Sequence, residues 1–270
     1  MEQLKTDDIS DRIYVSTTAN DACDTIRDYH FGIEIAEFCT AENMDHDFER
    51  WDTQAREKMN VAQSDPKRRT KKAILHAPFN ELCPAAIDPL VLDIAKLRYG
   101  QAFRLAQSYG INRMVVHSGY VPFVYFKSYF VERSINFWRE YLSDKPQDFT
   151  LLLENVLDDE PFTLIEIIKG LGDPRLRLCF DTGHANIVKT GMTMEEWAEA
   201  AAPYLGHLHI HNNNGAGERD LHNPLGEGSI DMAELLRIII KKQPEATFTI
   251  ESLNSRASAE WLKENGFLGN

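Results

Sequence analysis

The chain has 270 residues, 43% of them apolar, with 29 basic and 42 acidic residues and a net charge of −13. This suits one large α/β domain or two small ones, and so acidic a surface repels nucleic acid and anionic membranes. No apolar run approaches the roughly 18 residues that cross a bilayer. The four cysteines, Cys23, Cys39, Cys83 and Cys179, have no CxxC spacing, so free thiols are expected. The polar start, MEQLKTDDIS, does not read as a signal peptide. A cytoplasmic protein is the expectation.

In chain order, RIYVS is the first strand-like run and FGIEIAEF the second. Glu34, in the second, either points inward near a site or sits in an internal salt bridge. A charged helix is predicted over residues 44–62. The basic run Lys67–Lys72, KRRTKK, comes next and directly precedes the third strand, KAILHAPF. A helix follows from Pro89, with Leu90, Ile94, Leu97 and Leu105 at helical spacing and Gly110 at its end. RMVVHSG is the fourth strand. After it, Tyr120 to Phe130 carries six aromatics, which read as a wall over a small ring, a helix packing face or a dimer contact. Lys127 within it is a candidate phosphate contact. FTLLLENV, RLCFDTGHAN, HLHIHNN and TFTIES complete eight strand-like runs. Thr193 with Glu196, and Asp231 with Glu234, mark two helix starts between them.

Strand and helix alternate throughout without a linker, which predicts one (β/α)8 TIM barrel over residues 1–270; a doubly wound open sheet is the runner-up, but no Gly-rich turn follows RIYVS. Barrel active sites open at the C-terminal ends of the strands. The basic run Lys67–Lys72 falls at the opposite mouth, so a solvated loop is expected there.

The polar residues fall at the right ends. His76, His117, Glu154, Asp181 and Glu251 close strands three, four, five, six and eight. His209 lies in strand seven, and His184 lies three residues beyond Asp181. Side-chain alternation lets all of them point to the barrel axis, while Leu208 and Ile210 face the helices. Carboxylates gathered there need cations or donors. No lysine or arginine stands at these tips, so a divalent metal site is expected. His207 should lie a layer deeper as a packed residue. His211, Asn155 and Asn186 are candidate substrate contacts.

The segments HAPF, VVHSG, LLLENV, CFDTGHAN, HLHIHNN, RDLHNPLGEGSID and FTIES resemble the xylose isomerase-like TIM-barrel superfamily, from about Arg12 to Glu251. That superfamily contains sugar isomerases and epimerases and also endonuclease IV. The epimerase template implies one divalent ion on Glu154, Asp181, His209 and Glu251, with the two glutamates as acid/base pair and His184 at the substrate. The endonuclease IV template (AP endonuclease family 2) implies three zinc ions. Its ligands would be His76, His117, Glu154, Asp181, His184, His209, Asp220, His222 and Glu251. The resemblance therefore implies one to three divalent ions, zinc or manganese. The acidic surface, and Asn213 where the endonuclease pattern places an aspartate, favour a sugar or sugar phosphate as substrate over nucleic acid. A homo-oligomer is compatible with the aromatic segment.

Overall fold

A computed structural model of the chain describes residues 8–64 and 73–269. The run Lys67–Lys72 lies outside them. Eight parallel strands close into a barrel in chain order. They are β1 (Ile13–Ser16), β2 (Gly32–Ile35), β3 (Ala73–His76), β4 (Arg113–His117), β5 (Thr150–Glu154), β6 (Leu176–Asp181), β7 (Leu205–Ile210) and β8 (Thr247–Ile250). Outside them lie α1 (Ala22–Tyr29), α2 (Phe48–Gln63), α3 (Pro89–Ser108), α4 (Lys127–Leu142) and α5 (Phe162–Leu171). The remaining helices are α6 (Thr182–Val188), α7 (Met194–Ala201), α8 (Met232–Lys242) and α9 (Ser255–Glu264).

Local chemistry sets the helix ends. Asp88 accepts from the Leu90 amide and Pro89 occupies the first turn of α3, where its missing N–H costs nothing. Gly110, just past that helix, takes the left-handed φ of 69° that the chain reversal needs. Thr193 and Glu196 form a reciprocal capping box on α7. Asp231 accepts from the Glu234 amide to start α8. The charged helix begins at Phe48, later than its composition suggests, because a short 3-10 turn takes Ala41–Met44.

Two apolar layers result. Leu208, Ile210 and Phe248 join the main core between strands and helices. Tyr14, Ile74, Val115, Leu152 and Cys179 fill the inside of the barrel. Two residues further along four of these strands, on the same face, come His76, His117, Glu154 and Asp181. The apolar plug is thus the floor of a polar chamber. The stripe on α3 departs from the pattern: Leu105 is buried, but Leu90, Ile94 and Leu97 face solvent.

Candidate metal centre

Strand register assembles the chamber. His117 pairs with Glu154 across β4 and β5, and Asp181 pairs with His209 across β6 and β7. Glu251 follows β8 by one residue, beside Ile210, whose carbonyl accepts from its amide. Asp181 also caps α6, accepting from the His184 amide at 2.7 Å. One carboxylate therefore fixes the loop that brings His184 to it. Gly183 is required by this turn, since a Cβ there would lie 1.9 Å from Cε1 of His211.

Asp220 and His222 arrive on the loop after β7. Asn212 and Asn223 exchange both backbone hydrogen bonds and clasp its two ends. The Asn212 side-chain amide donates to the carbonyls of Leu225 and Ile230. Gly228 packs so closely that a Cβ would meet Asn212 Oδ1 at 2.1 Å. This explains why HNNN and PLGEG occur together. Asn213 donates to Asp220 Oδ1 at 3.1 Å and to the Gly183 carbonyl at 2.9 Å, tying the loop to α6.

The histidines are oriented from behind. The ring Nδ1 of His76 faces the Ala77 carbonyl, that of His184 the Asn155 carbonyl, and that of His222 the Glu251 carbonyl, at 2.9–3.1 Å. A carbonyl only accepts, so each Nδ1 carries a hydrogen and each Nε2 is the nitrogen turned to the chamber. Those nitrogens face carboxylate oxygens. His76 Nε2 lies 3.3 Å from Glu154, and His184 and His222 Nε2 lie 3.4 and 3.3 Å from Asp220. His209 is held in the opposite sense. Its Nε2 donates to Glu34 at 3.0 Å, so Nδ1 is the nitrogen turned to the chamber. That nitrogen lies 3.2 Å from Glu154, 3.4 Å from Glu251 and 3.8 Å from Asp181.

These contacts set imidazole nitrogens against carboxylate oxygens. Both Glu154 oxygens and Nδ1 of His209 and His211 are buried without a hydrogen-bond partner. Such an arrangement is unfavourable unless a ring proton or a cation stands between the groups. A divalent cation fits this donor set: imidazole and carboxylate together suit zinc and manganese. Candidate groups converge within 4.8 Å as His76 with His117 and Glu154, as Glu154 with Asp181 and His184, and as His184 with Asp220 and His222.

Titration follows the same environment. Burial alone would raise Asp181, yet His184 and His211 hold it below the usual carboxylate range. Glu154 is likewise held well below it, against its burial, by the charged His209 ring. Burial pushes His117 down to about 3 and His207 to about 4, so those two rings are neutral. The carboxylates around them push His184 up to about 10 and His222 to about 9. Those rings hold a proton that a bound ion would displace, since neutral imidazole is the form that binds a metal.

The chamber opens into a cavity of about 250 Å³ lined by His76, His117, Glu154, His184, His222 and Glu251 among others. No lysine or arginine among the described residues lines it. Thr18, Cys39, Phe79 and Leu253 contribute to the wall. Thr18 and Cys39 escape a reading of charged strand tips, because the loops after β1 and β2 offer no imidazole or acid there.

Several residues expected at the substrate do not line this cavity. Glu34 is fully buried beneath it, bonded to His207, His209 and Thr249. Asn155 spends its side chain on the backbone N–H and carbonyl of Asp181. Asn186 is bonded to Asn213 and Ser229. His211 is fully buried, 3.1 Å from Asp181 and stacked on His222. Lys127 is locked to Asp159 and Glu160 at 2.8 and 2.7 Å, on a neighbouring groove. Glu34, Asn155, Asn186 and Lys127 are bonded to protein groups, and none of the five lines the cavity. His207 lies a layer deeper, between Thr247, Thr249 and Glu34.

The family model for the xylose isomerase-like TIM barrel matches residues 30–265. The chain belongs to this family. The uncharacterized protein MJ1311 of Methanocaldococcus jannaschii is 29% identical over 204 residues, which is 71% of this chain and 69% of that one. Among solved structures, a D-tagatose 3-epimerase-like protein superposes with a TM-score of 0.71 at 24% identity, covering 94% of this chain and 96% of its own. The TTHB071 protein from Thermus thermophilus, soaked with ZnCl2, gives 0.71 at 23% identity, covering 94% and 97%. Among the described residues no helix is long and apolar enough to cross a membrane.

Proposed function

We propose that this xylose isomerase-like barrel is a divalent-metal-dependent isomerase or epimerase of a sugar or sugar phosphate. The observation that supports this most is the pairing of Glu154 and Glu251. They approach His209 Nδ1 from different strands, at 3.2 and 3.4 Å, and both line a cavity sized for a small polar molecule. Glu154, Asp181, His209 and Glu251 would hold the ion. When bound, a divalent ion supplies Lewis acidity toward a carbonyl and its neighbouring hydroxyl. The protein's own groups do the rest. One glutamate takes the proton from the carbon next to the carbonyl, and the other returns a proton to that carbon or its neighbour. His184, at the cavity wall, holds the substrate oxygens. Phe79, stacked on His117 at 4.2 Å, keeps one wall dry. The D-tagatose 3-epimerase-like neighbour agrees with this chemistry.

A second reading has its own support. His184, Asp220 and His222 form a donor group beside the first, and His76 with His117 form another on Glu154. A one-ion epimerase has no use for them as ligands. They favour a multinuclear zinc phosphodiesterase of the endonuclease IV type. Net charge of −13 opposes a polyanionic substrate.

Two measurements decide. Elemental analysis of the purified chain gives the ion count. Incubation with ketohexoses and their phosphates in D2O, read by NMR, reports deuterium entering next to the carbonyl. One ion per chain with exchange, lost in Glu154→Gln and Glu251→Gln, is the expected result. Two or three zinc ions, no exchange and cleavage of duplex DNA at abasic sites would replace the first reading by the second.

A further inference from the structure

The largest unexplained feature is an exposed apolar surface on the rim, beside the mouth. On α3 and the turn before it, Ile87, Leu90, Ile94 and Leu97 are 50–72% exposed. On the loop between β4 and α4, Phe123 is fully exposed, Phe126 is 86% exposed and Val124 62%. The two halves are stitched into one face. Arg133 of α4 donates to the Ala86 carbonyl, and the Cys83 thiol reaches the Tyr125 hydroxyl. Lys96 of α3 pairs with Glu140 of α4. A groove of about 630 Å³ between Phe123, Phe126 and Leu157 continues the face.

Three observations bear on what covers it. The first is area. Scaling each side chain by its exposure gives roughly 700 Å² of apolar surface. The largest such patch on a monomer is about 300–600 Å². A specific interface needs about 800 Å² per partner, somewhat over half of it apolar. The second is strain. Phe123 holds a φ of 66°, a left-handed conformation unfavourable for a bulky residue, while pointing into solvent. The loop keeps that ring outward against its own preference. The third is charge. At −13 the chain is repelled by anionic lipid, whereas acids and bases both border this face, Asp88 and Glu140 beside Lys96 and Arg133. A mixed border is what a face needs to meet its own image, since a two-fold pairing sets each patch on itself.

We propose that this rim is the pairing surface of a homodimer, two copies meeting through α3 and the β4–α4 loop. The groove beside Phe126 gives an apolar side chain of the partner a seat. The surface lies outside the metal chamber, so the pairing stands or falls independently of the reaction assigned to it.

Sedimentation velocity on the full chain, from about 1 to 100 µM, tests this. The wild type is expected to sediment at twice the 30.9 kDa chain mass. Ile94→Asp combined with Phe126→Ser is expected to weaken pairing by about 100-fold or more, giving monomers across the range. Both positions are exposed, so the variant should keep the wild-type circular dichroism and ion content. A wild type monomeric at the top concentration overturns the proposal. So does a dimer that survives the double substitution, because its interface is then elsewhere. Binding of a monomeric wild type to phosphatidylcholine vesicles would reassign the face to a lipid surface.

Discussion

At the mouth of the barrel, Asp181, His209 and His211 are fully buried; a short distance away on the rim, Phe123 is fully exposed. Ordinary burial is inverted in both places, and the cause has the same form. Each region holds chemistry that the chain itself does not complete. Inside, imidazoles and carboxylates converge in a set that fits a cation. Outside, apolar surface faces water, as a pairing face would. Asp158 separates these from a third situation. It is as buried as Asp181, yet it lies against Ser118 and the Val156 amide and has no imidazole beside it. Burial raises its carboxyl to about 6, whereas Asp181 moves the other way.

The strongest way to break the comparison is to remove the inner partner. Chelation, or Glu154→Gln, is expected to lower turnover by about 1,000-fold or more, as loss of an acid/base group and of the ion together should. Calorimetry should show the stripped protein melting lower. With free ion at about 1,000 times its Kd, linkage is worth about 4 kcal/mol. If Glu154→Gln keeps its full ion content, the lone pairs at Glu154 have another explanation.

Gly183→Ala comes next. Its Cβ would strike the His211 ring, and neither α6 nor β7 can retreat without dragging Asp181 or His209. A stability loss of about 3 kcal/mol by urea titration is expected, in the range of overpacked cores. A tolerated alanine would show that the DTGH turn is softer than its packing implies.

Glu34→Gln is milder. The amide can still reach His209 Nε2 through its oxygen, but the negative charge behind the ring is gone. Outer partners of this type change metal affinity about 10- to 100-fold. Competition with a colorimetric chelator would read the loss. An unchanged affinity would make Glu34 a packing residue only.

The smallest effect belongs to Asp158. Its folded-state pKa exceeds the unfolded value near 3.8. Below about 4 both states are protonated and nothing changes. Between about 4 and 6 stability falls as pH rises, by about 2–3 kcal/mol at most, and above about 6 the loss is complete. Asp158→Asn should flatten that part of the stability profile. A profile identical to the wild type would mean that the carboxyl is solvated in solution.

The eightfold alternation is legible in the sequence because each strand carries its own apolar face and each helix its own caps. The metal-site candidates are legible for a similar reason: a tip such as Leu152–Glu154 states its direction by parity alone. Depth is not. Glu34 points inward as parity allows, but strand stagger around a closed barrel sets it level with His207, out of reach of the cavity. Asn155, Asn186 and Lys127 look like substrate contacts in the sequence because the protein groups they bond to lie 26 to 43 residues away along the chain. The α3 stripe shows the complementary limit. Spacing reveals an apolar face, and only packing reveals whether this chain covers it.

The clasp between Asn212 and Asn223 has an evolutionary reading. It closes a hairpin-like excursion that delivers Asp220 and His222, while every other candidate ligand sits on a strand, at its tip or on the adjoining turn of α6. An ancestor cut back at the clasp would lose Asp220 and His222, yet keep His76, His117, Glu154, Asp181, His209 and Glu251 in place. Regaining the excursion would restore the group of His184, Asp220 and His222 without disturbing a single strand. That one group is open to change on a timescale that the barrel itself is not.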